Sequence, residues 1–144
     1  MKRGRGSQSL AWLWAAPGTL IGLALGLLAR ASGGEVERRD GTIEVHGGAT
    51  AGVLRAIGLG RRIEAIALGH VVLARDAVTL GKWRVHERVH VRQWERWGPL
   101  FVPAYLAASL WEGLRGRDPY FANRFEREAR AADVDATPGT VDRC

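Results

Sequence analysis

Cysteine is almost missing from this chain of 144 residues: Cys144, the final residue, is the only one, so no internal disulfide can staple the fold and thiol usage says nothing of the compartment. Lysine is scarce as well, two against 19 arginines, and the formal net charge is +6. Such a balance suits phosphate, because cationic side chains release the counterions held by nucleic acid. The arginines, however, are spread along the chain and interleaved with acids, as in Glu126-Arg127-Glu128, and no nucleic-acid-binding motif accompanies them. A nucleic-acid partner is set aside; membrane lipid with an anionic surface accounts for the charge at least as well. Long apolar runs are few, and only residues 10–29 reach the length of a bilayer core. Histidine is rare too, four in all, which makes its spacing informative.

Two of the four stand in His86-Glu87-Arg88-Val89-His90. Residues four apart lie one above the other on a helix, so both imidazoles can point at one ion and supply half of a tetrahedral zinc site. Glu87 sits one step round the helix, near enough to act on water as a general base without ligating the ion. In a chain this poor in histidine the pattern would arise by chance on the order of a few times per thousand sequences. The competing reading is a solvated helix face whose two rings hydrogen-bond to water.

Catalytic zinc takes three protein ligands and leaves the fourth position to water. No histidine follows His90, so the third must be acidic: Glu95, Glu112, Asp118, Glu126, Glu128 or an acid near the C-terminus. Asp118-Pro119 is predicted to open a helix that continues without Gly or Pro to Asp133. Glu126 lies in it on a face with Ala122 and Ala129, small enough to let two helices approach, and is the preferred ligand. Glu128, on the face of Phe121, Phe125 and Ala132, is the alternative.

His86-Glu87-x-x-His90-Val91-x-Gln93, followed by Asn123-Arg124-Phe125-Glu126-Arg127-Glu128-Ala129, resembles the HExxH and ExxA pairing of small bacterial gluzincin-type zinc metallopeptidase-like proteins. It is more distantly similar to the CaaX prenyl-protease and HtpX class. The resemblance covers residues 73–133. It implies a minimal zincin-like α+β domain in which His86, His90 and Glu126 bind Zn2+, Glu87 is the catalytic carboxylate, and a peptide or protein is the substrate. In the ExxAD form an acid follows the alanine, whereas this chain has Arg130 there. The only methionine is Met1, so no Met-turn is available, and the three-histidine metzincin site is excluded.

A chain of this length has room for one small domain, and a two-lobed peptidase does not fit. Residues 1–34 are expected to be a basic start, with Lys2, Arg3 and Arg5, followed by an apolar helix. A retained transmembrane anchor is preferred, which places the protein at a bacterial inner membrane; a cleaved signal peptide ending at Ala29-Arg30-Ala31 and a buried core helix are the alternatives. Arg30, Arg38 and Arg39 beyond the run balance the basic residues before it and leave its orientation open.

The zincin-like domain is expected over residues 35–133. Asp40-Gly41 predicts a tight hairpin, with His46 on the surface. Residues 49–59 read as a short helix or a loop. Residues 63–74 read as one or two strands broken near Gly69, and by analogy with zincins residues 69–73 would offer a free edge to an extended substrate. His70 is weighed as a donor to a developing oxyanion, with a structural hydrogen-bonding role preferred.

The motif helix is expected to start at Asp76 or Thr79, or at Lys82 if Gly81 breaks it, and to end at Gly98-Pro99. Arg84, Arg88, Arg92 and Glu95 form its predicted solvated stripe; Val85, Val89 and Trp97 belong to its packing side. Residues 97–111 are uncharged, contain Pro99 and Pro103, and are short for a span, so they read as a helix lying in the lipid interface or packed against the first apolar segment. Residues 134–144 are expected to be a disordered tail.

Overall fold

The computed structural model describes residues 5–58 and 63–136, with side chains from residue 10 onward. Lys2, Arg3, Leu59 and residues 137–144 of the expected tail lie outside the described residues. The apolar N-terminal run does not form one rod. It divides into α1 (Arg5–Trp14) and α2 (Ala16–Ala31), because Pro17 has no N–H to give to the preceding turn. Among the described residues no helix is long and apolar enough to cross a membrane, so the single spanning helix expected over residues 10–29 is not formed.

Helix α2 lies instead on a sheet, through a buried stripe of Gly18, Thr19, Gly22, Gly26 and Ala29. A Cβ at Gly22 would stand 2.6 Å from Val71 Cβ, so only a glycine permits this approach. The outer side of α2 exposes Leu20, Ile21, Leu27 and Leu28.

Strands β1 (Glu35–Arg39) and β2 (Thr42–His46) pair antiparallel around Asp40-Gly41, whose φ angles of 51° and 82° are those the dipeptide favours in a tight turn. Strands β3 (Ala65–Leu68) and β4 (Val71–Ala74) form a second hairpin around Gly69 and His70. β4 runs parallel to β2, giving the order β1-β2-β4-β3. The crossover contains α3 (Thr50–Ile57), so the undecided segment at residues 49–59 is helical there; its Leu54 is buried with Ala29, Val45, Val71 and Leu73.

Two expectations about the sheet are corrected. β4 is paired on both sides and has no free edge; the edge strands are β1 and β3. His46 is 8 % exposed rather than on the surface, because it ends an interior strand, with Glu35 of β1 at 3.9 Å.

Helix α4 (Ala77–Trp97) covers the other face of the sheet, burying Leu80 and Val91 with Ala67, Val72 and Ala74. Asp76 is its cap, accepting the Thr79 N–H at 2.7 Å, and Gly81 stands within the helix without delaying it. The predicted solvated stripe is largely turned inward. Arg84 pairs at 3.0 Å with Glu44, which is 1 % exposed, Arg88 reaches Asp40 at 2.6 Å, and Glu95 meets His70 at 3.3 Å; Arg92 alone of the four is exposed. The buried carboxylate on β2 demands these cations, since an unpaired buried charge is costly.

After a short 3-10 turn at Gly98–Leu100, helix α5 (Phe101–Leu114) buries Phe101 with Ala15, Trp94 and Phe125 and exposes Val102, Leu106, Leu110 and Leu114. Helix α6 (Arg124–Ala136) begins later than Asp118-Pro119 suggested. Asp118 accepts the N–H groups of Tyr120 and Phe121 at 2.8 and 2.7 Å, which closes only a turn. Asn123 then opens the helix, taking the Phe125 N–H at 2.9 Å while its amide donates to Tyr105 O and Ser109 Oγ on α5. Residues 134–136 are helix, not tail.

Candidate metal centre

Helices α4 and α6 pack against each other and bring His86, His90 and Glu126 into one buried group able to hold a metal ion. The three contacts are 3.2 Å between the two Nε2 atoms, 3.2 Å from His86 Nε2 to Glu126 Oε2 and 3.4 Å from His90 Nε2 to Glu126 Oε1. Ligand atoms about 2.0–2.1 Å from a tetrahedral ion stand roughly 3.3 Å apart, a spacing that the Nε2–Nε2 and His86–Oε2 contacts match while His90 meets the other oxygen of the same carboxylate. Glu128, the alternative ligand, lies apart. It accepts a hydrogen bond from Gln93 at 2.9 Å and faces Arg96 at 3.5 Å.

The outer nitrogens of the two rings settle which atoms face inward. His86 Nδ1 is 3.0 Å from Asp133 Oδ2, and His90 Nδ1 is 2.8 Å from Gln93 Oε1. The Gln93 amide can point only one way, because its Nε2 donates to Phe125 O and Glu128 Oε2. Both Nδ1 atoms therefore donate, and both Nε2 lone pairs are directed at each other and at a carboxylate. Three electron-rich atoms so close together repel unless a positive species, a proton or a cation, sits among them.

Electrostatics agree. Burial opposes protonation of His86 and His90, but Glu126, joined by Asp133 at His86 and by Glu87 at His90, outweighs it and raises both above the ordinary histidine value. Burial would raise the Glu126 carboxyl as well, yet His86, His90 and Tyr105 hold it well below the usual carboxylate range. The Tyr105 hydroxyl donates to Glu126 Oε1 at 2.7 Å.

Glu87 occupies the sheet side of α4. It is 5 % exposed, and its Oε2 has no hydrogen-bond partner. Burial pushes its carboxyl above the normal value, against the pull of both imidazoles and of the Ala67 backbone N–H. A carboxyl made more basic by burial, with an uncommitted oxygen beside the cluster, is the group there best suited to take up a proton.

No family model, curated protein or solved structure matches this chain. The gluzincin-type reading thus stands on the motif and on the geometry of these side chains. His70 is not brought to the cluster: its ring stacks on Trp12 at 4.0 Å and meets Thr19 Oγ1 and Glu95, a structural arrangement. A pocket of about 250 Å³ bounded by Trp97, Trp111, Arg124 and Phe125 contains none of the cluster residues.

The sequence reading gave no role to Gln93, Tyr105, Tyr120, Arg130 or Asp133, all of which meet the ligands or the groups around them. Asp133 carried a usable signal, since it follows Glu126 by seven, two turns along the same helix face. Position 130, where the ExxAD form has an acid, holds Arg130, and the carboxylate that meets the outer nitrogen of His86 is Asp133.

Proposed function

We propose that the protein is a zinc-dependent metallopeptidase of gluzincin type, acting on peptide or protein substrates at a membrane lipid surface. The observation that carries this is the convergence of two imidazole lone pairs and one carboxylate at tetrahedral edge lengths, with both imidazoles locked from behind. Two histidines and a glutamate, the three protein ligands a catalytic zinc takes, suit zinc, a borderline-soft ion without strong geometric preference. When bound there, zinc polarises a substrate carbonyl and eases the ionisation of water.

The remaining work falls to the chain. Glu87 takes the proton from the attacking water and returns it to the leaving amine, which its raised pKa favours. Glu126 keeps its charge against burial because Tyr105 and the imidazoles stabilise it, so it stays available as a ligand. Asp133 and Gln93 hold the rings in the ligating tautomer.

Metal analysis of purified protein tests the proposal, with one zinc per chain expected in wild type and loss of it in His86→Ala and His90→Ala. Substoichiometric metal, or metal that survives both changes, defeats it. The low exposure of the cluster, 2–7 % for His86, Glu87, His90 and Glu126, favours a second reading in which the ion is structural. Glu87→Gln separates the two: an enzyme keeps its zinc and loses cleavage of a fluorogenic peptide library, whereas a structural centre changes in neither respect.

A further inference from the structure

The departure of this chain from the ExxAD pattern has a structural counterpart. Arg130 follows Glu126 by one helical turn, and its Nη1 lies 3.9 Å from Glu126 Oε2, within ion-pair range but outside hydrogen-bonding distance. That nitrogen is buried and has no hydrogen-bond partner. The guanidinium is nevertheless fixed, since Nη2 donates to the Phe121 carbonyl and the group packs over the rings of Phe121 and Tyr120 at 5.1 and 5.8 Å. The side chain as a whole is 30 % exposed, so the guanidinium sits at the rim of the cluster with Nη1 on its covered side.

Glu126 has little left to offer this donor. Its Oε1 already accepts from Tyr105, and both oxygens face the imidazoles. A buried cationic donor without an acceptor is costly, and an anionic oxygen delivered by a ligand relieves that cost. Tyr120, partly exposed and with its ring under the same guanidinium at 5.8 Å, brings a hydroxyl donor to the same side of the cluster.

We infer that Arg130 and Tyr120 form an anion subsite beside the metal cluster that receives the oxyanion developing on a substrate carbonyl, or a tetrahedral anion that mimics it. This rests on the metal reading above and adds to it the electrophilic half of the site. In energetic terms the subsite is a preorganised donor pair that gains most when charge appears on the oxygen.

The test uses the zinc-loaded full chain and its cobalt-substituted form, with two probes: phenylphosphonate, a tetrahedral anion, and acetohydroxamate, a chelator that needs only the metal. Binding is followed by calorimetry and by the cobalt visible spectrum, and melts confirm folding. Arg130→Met is expected to keep its metal and its acetohydroxamate affinity while phenylphosphonate weakens at least about tenfold. Arg130→Lys is expected to recover part of that loss, and Tyr120→Phe to lose a few-fold. Unchanged phenylphosphonate affinity in Arg130→Met overturns the subsite, as does a parallel loss of metal and of both probes in Arg130→Met and Arg130→Lys, which makes the arginine merely the ion-pair partner of Glu126. A wild type that binds no metal is a different result, and it removes the metallopeptidase reading itself.

Discussion

At the scale of single residues, Asp133 and Gln93 decide what His86 and His90 can do. An imidazole presents a lone pair at Nε2 only while its proton stays at Nδ1, and these two acceptors, at 3.0 and 2.8 Å, keep it there. Removing such an outer partner typically weakens metal binding about ten- to a hundredfold. Asp133→Ala is accordingly expected to cost that much zinc affinity in a competition titration, and Glu128→Ala, whose carboxylate meets the far side of Gln93 and Arg96 but neither imidazole, much less; equal effects would deny Asp133 this role. Of the residues of the cluster, the histidine pair was legible because four-residue spacing fixes a helix face. Glu126 was legible through Ala129, which is fully buried one turn further along α6, whereas Ala122, assigned to the same face, precedes the helix. Tyr105 was not, since its contact depends on how the chain folds back between Trp97 and α5, which no local periodicity encodes.

At the scale of elements, α4 must begin in the right register for its histidines to meet α6, and its start is held by one carboxylate. The Thr79 N–H, then Arg75, lower the Asp76 carboxyl to about 2. Because the folded value lies below the unfolded one, near 3.8, this contribution is present above about pH 4 and is lost as pH falls through about 2. Asp76→Asn, which can still cap but carries no charge, is expected to lack that acid limb: melting temperatures of variant and wild type should differ near neutral pH and converge towards about pH 2, and a constant difference would contradict the assignment.

The N-terminal helices tell the reverse story about legibility. Residues 10–29 read as an anchor because they carry no charge, yet Pro17 breaks the run, and Gly18, Gly22, Gly26 and Ala29 form a stripe that fits the sheet. Hydropathy hid the pattern, since glycine and alanine scored as part of an apolar run rather than as a surface for close approach. At Gly22, where a Cβ would meet Val71 Cβ at 2.6 Å, Gly22→Leu is expected to lower stability by about 1–3 kcal/mol or more, read from denaturant unfolding; a neutral result would mean that α2 does not lie on the sheet as described.

At the scale of the molecule, both faces of the sheet are covered, but the covering is apolar on its outside as well as its inside. Leu20, Ile21, Leu27 and Leu28 on α2 and Val102, Leu106, Leu110 and Leu114 on α5 are all at least 44 % exposed. Soluble monomers seldom leave so many large aliphatic side chains uncovered on two helices. At the far end of α5, Trp111 carries Arg115 over its ring at 5.4 Å, an aromatic and basic pairing suited to a headgroup region. On the membrane-surface reading proposed above, a net charge of +6 favours anionic lipid, where the exposed aliphatic side chains would be buried. Full-length zinc-loaded protein is therefore expected to co-sediment with vesicles of mixed phosphatidylserine and phosphatidylcholine, less with phosphatidylcholine alone, and less again as salt is raised. The double change Leu106→Glu and Leu110→Glu on α5 should release it from anionic vesicles while leaving its zinc content intact. If that variant sediments as well as wild type, α5 is not the seat, and if wild type ignores vesicles while forming a dimer through the same leucines, the surface belongs to a second copy of the chain rather than to lipid.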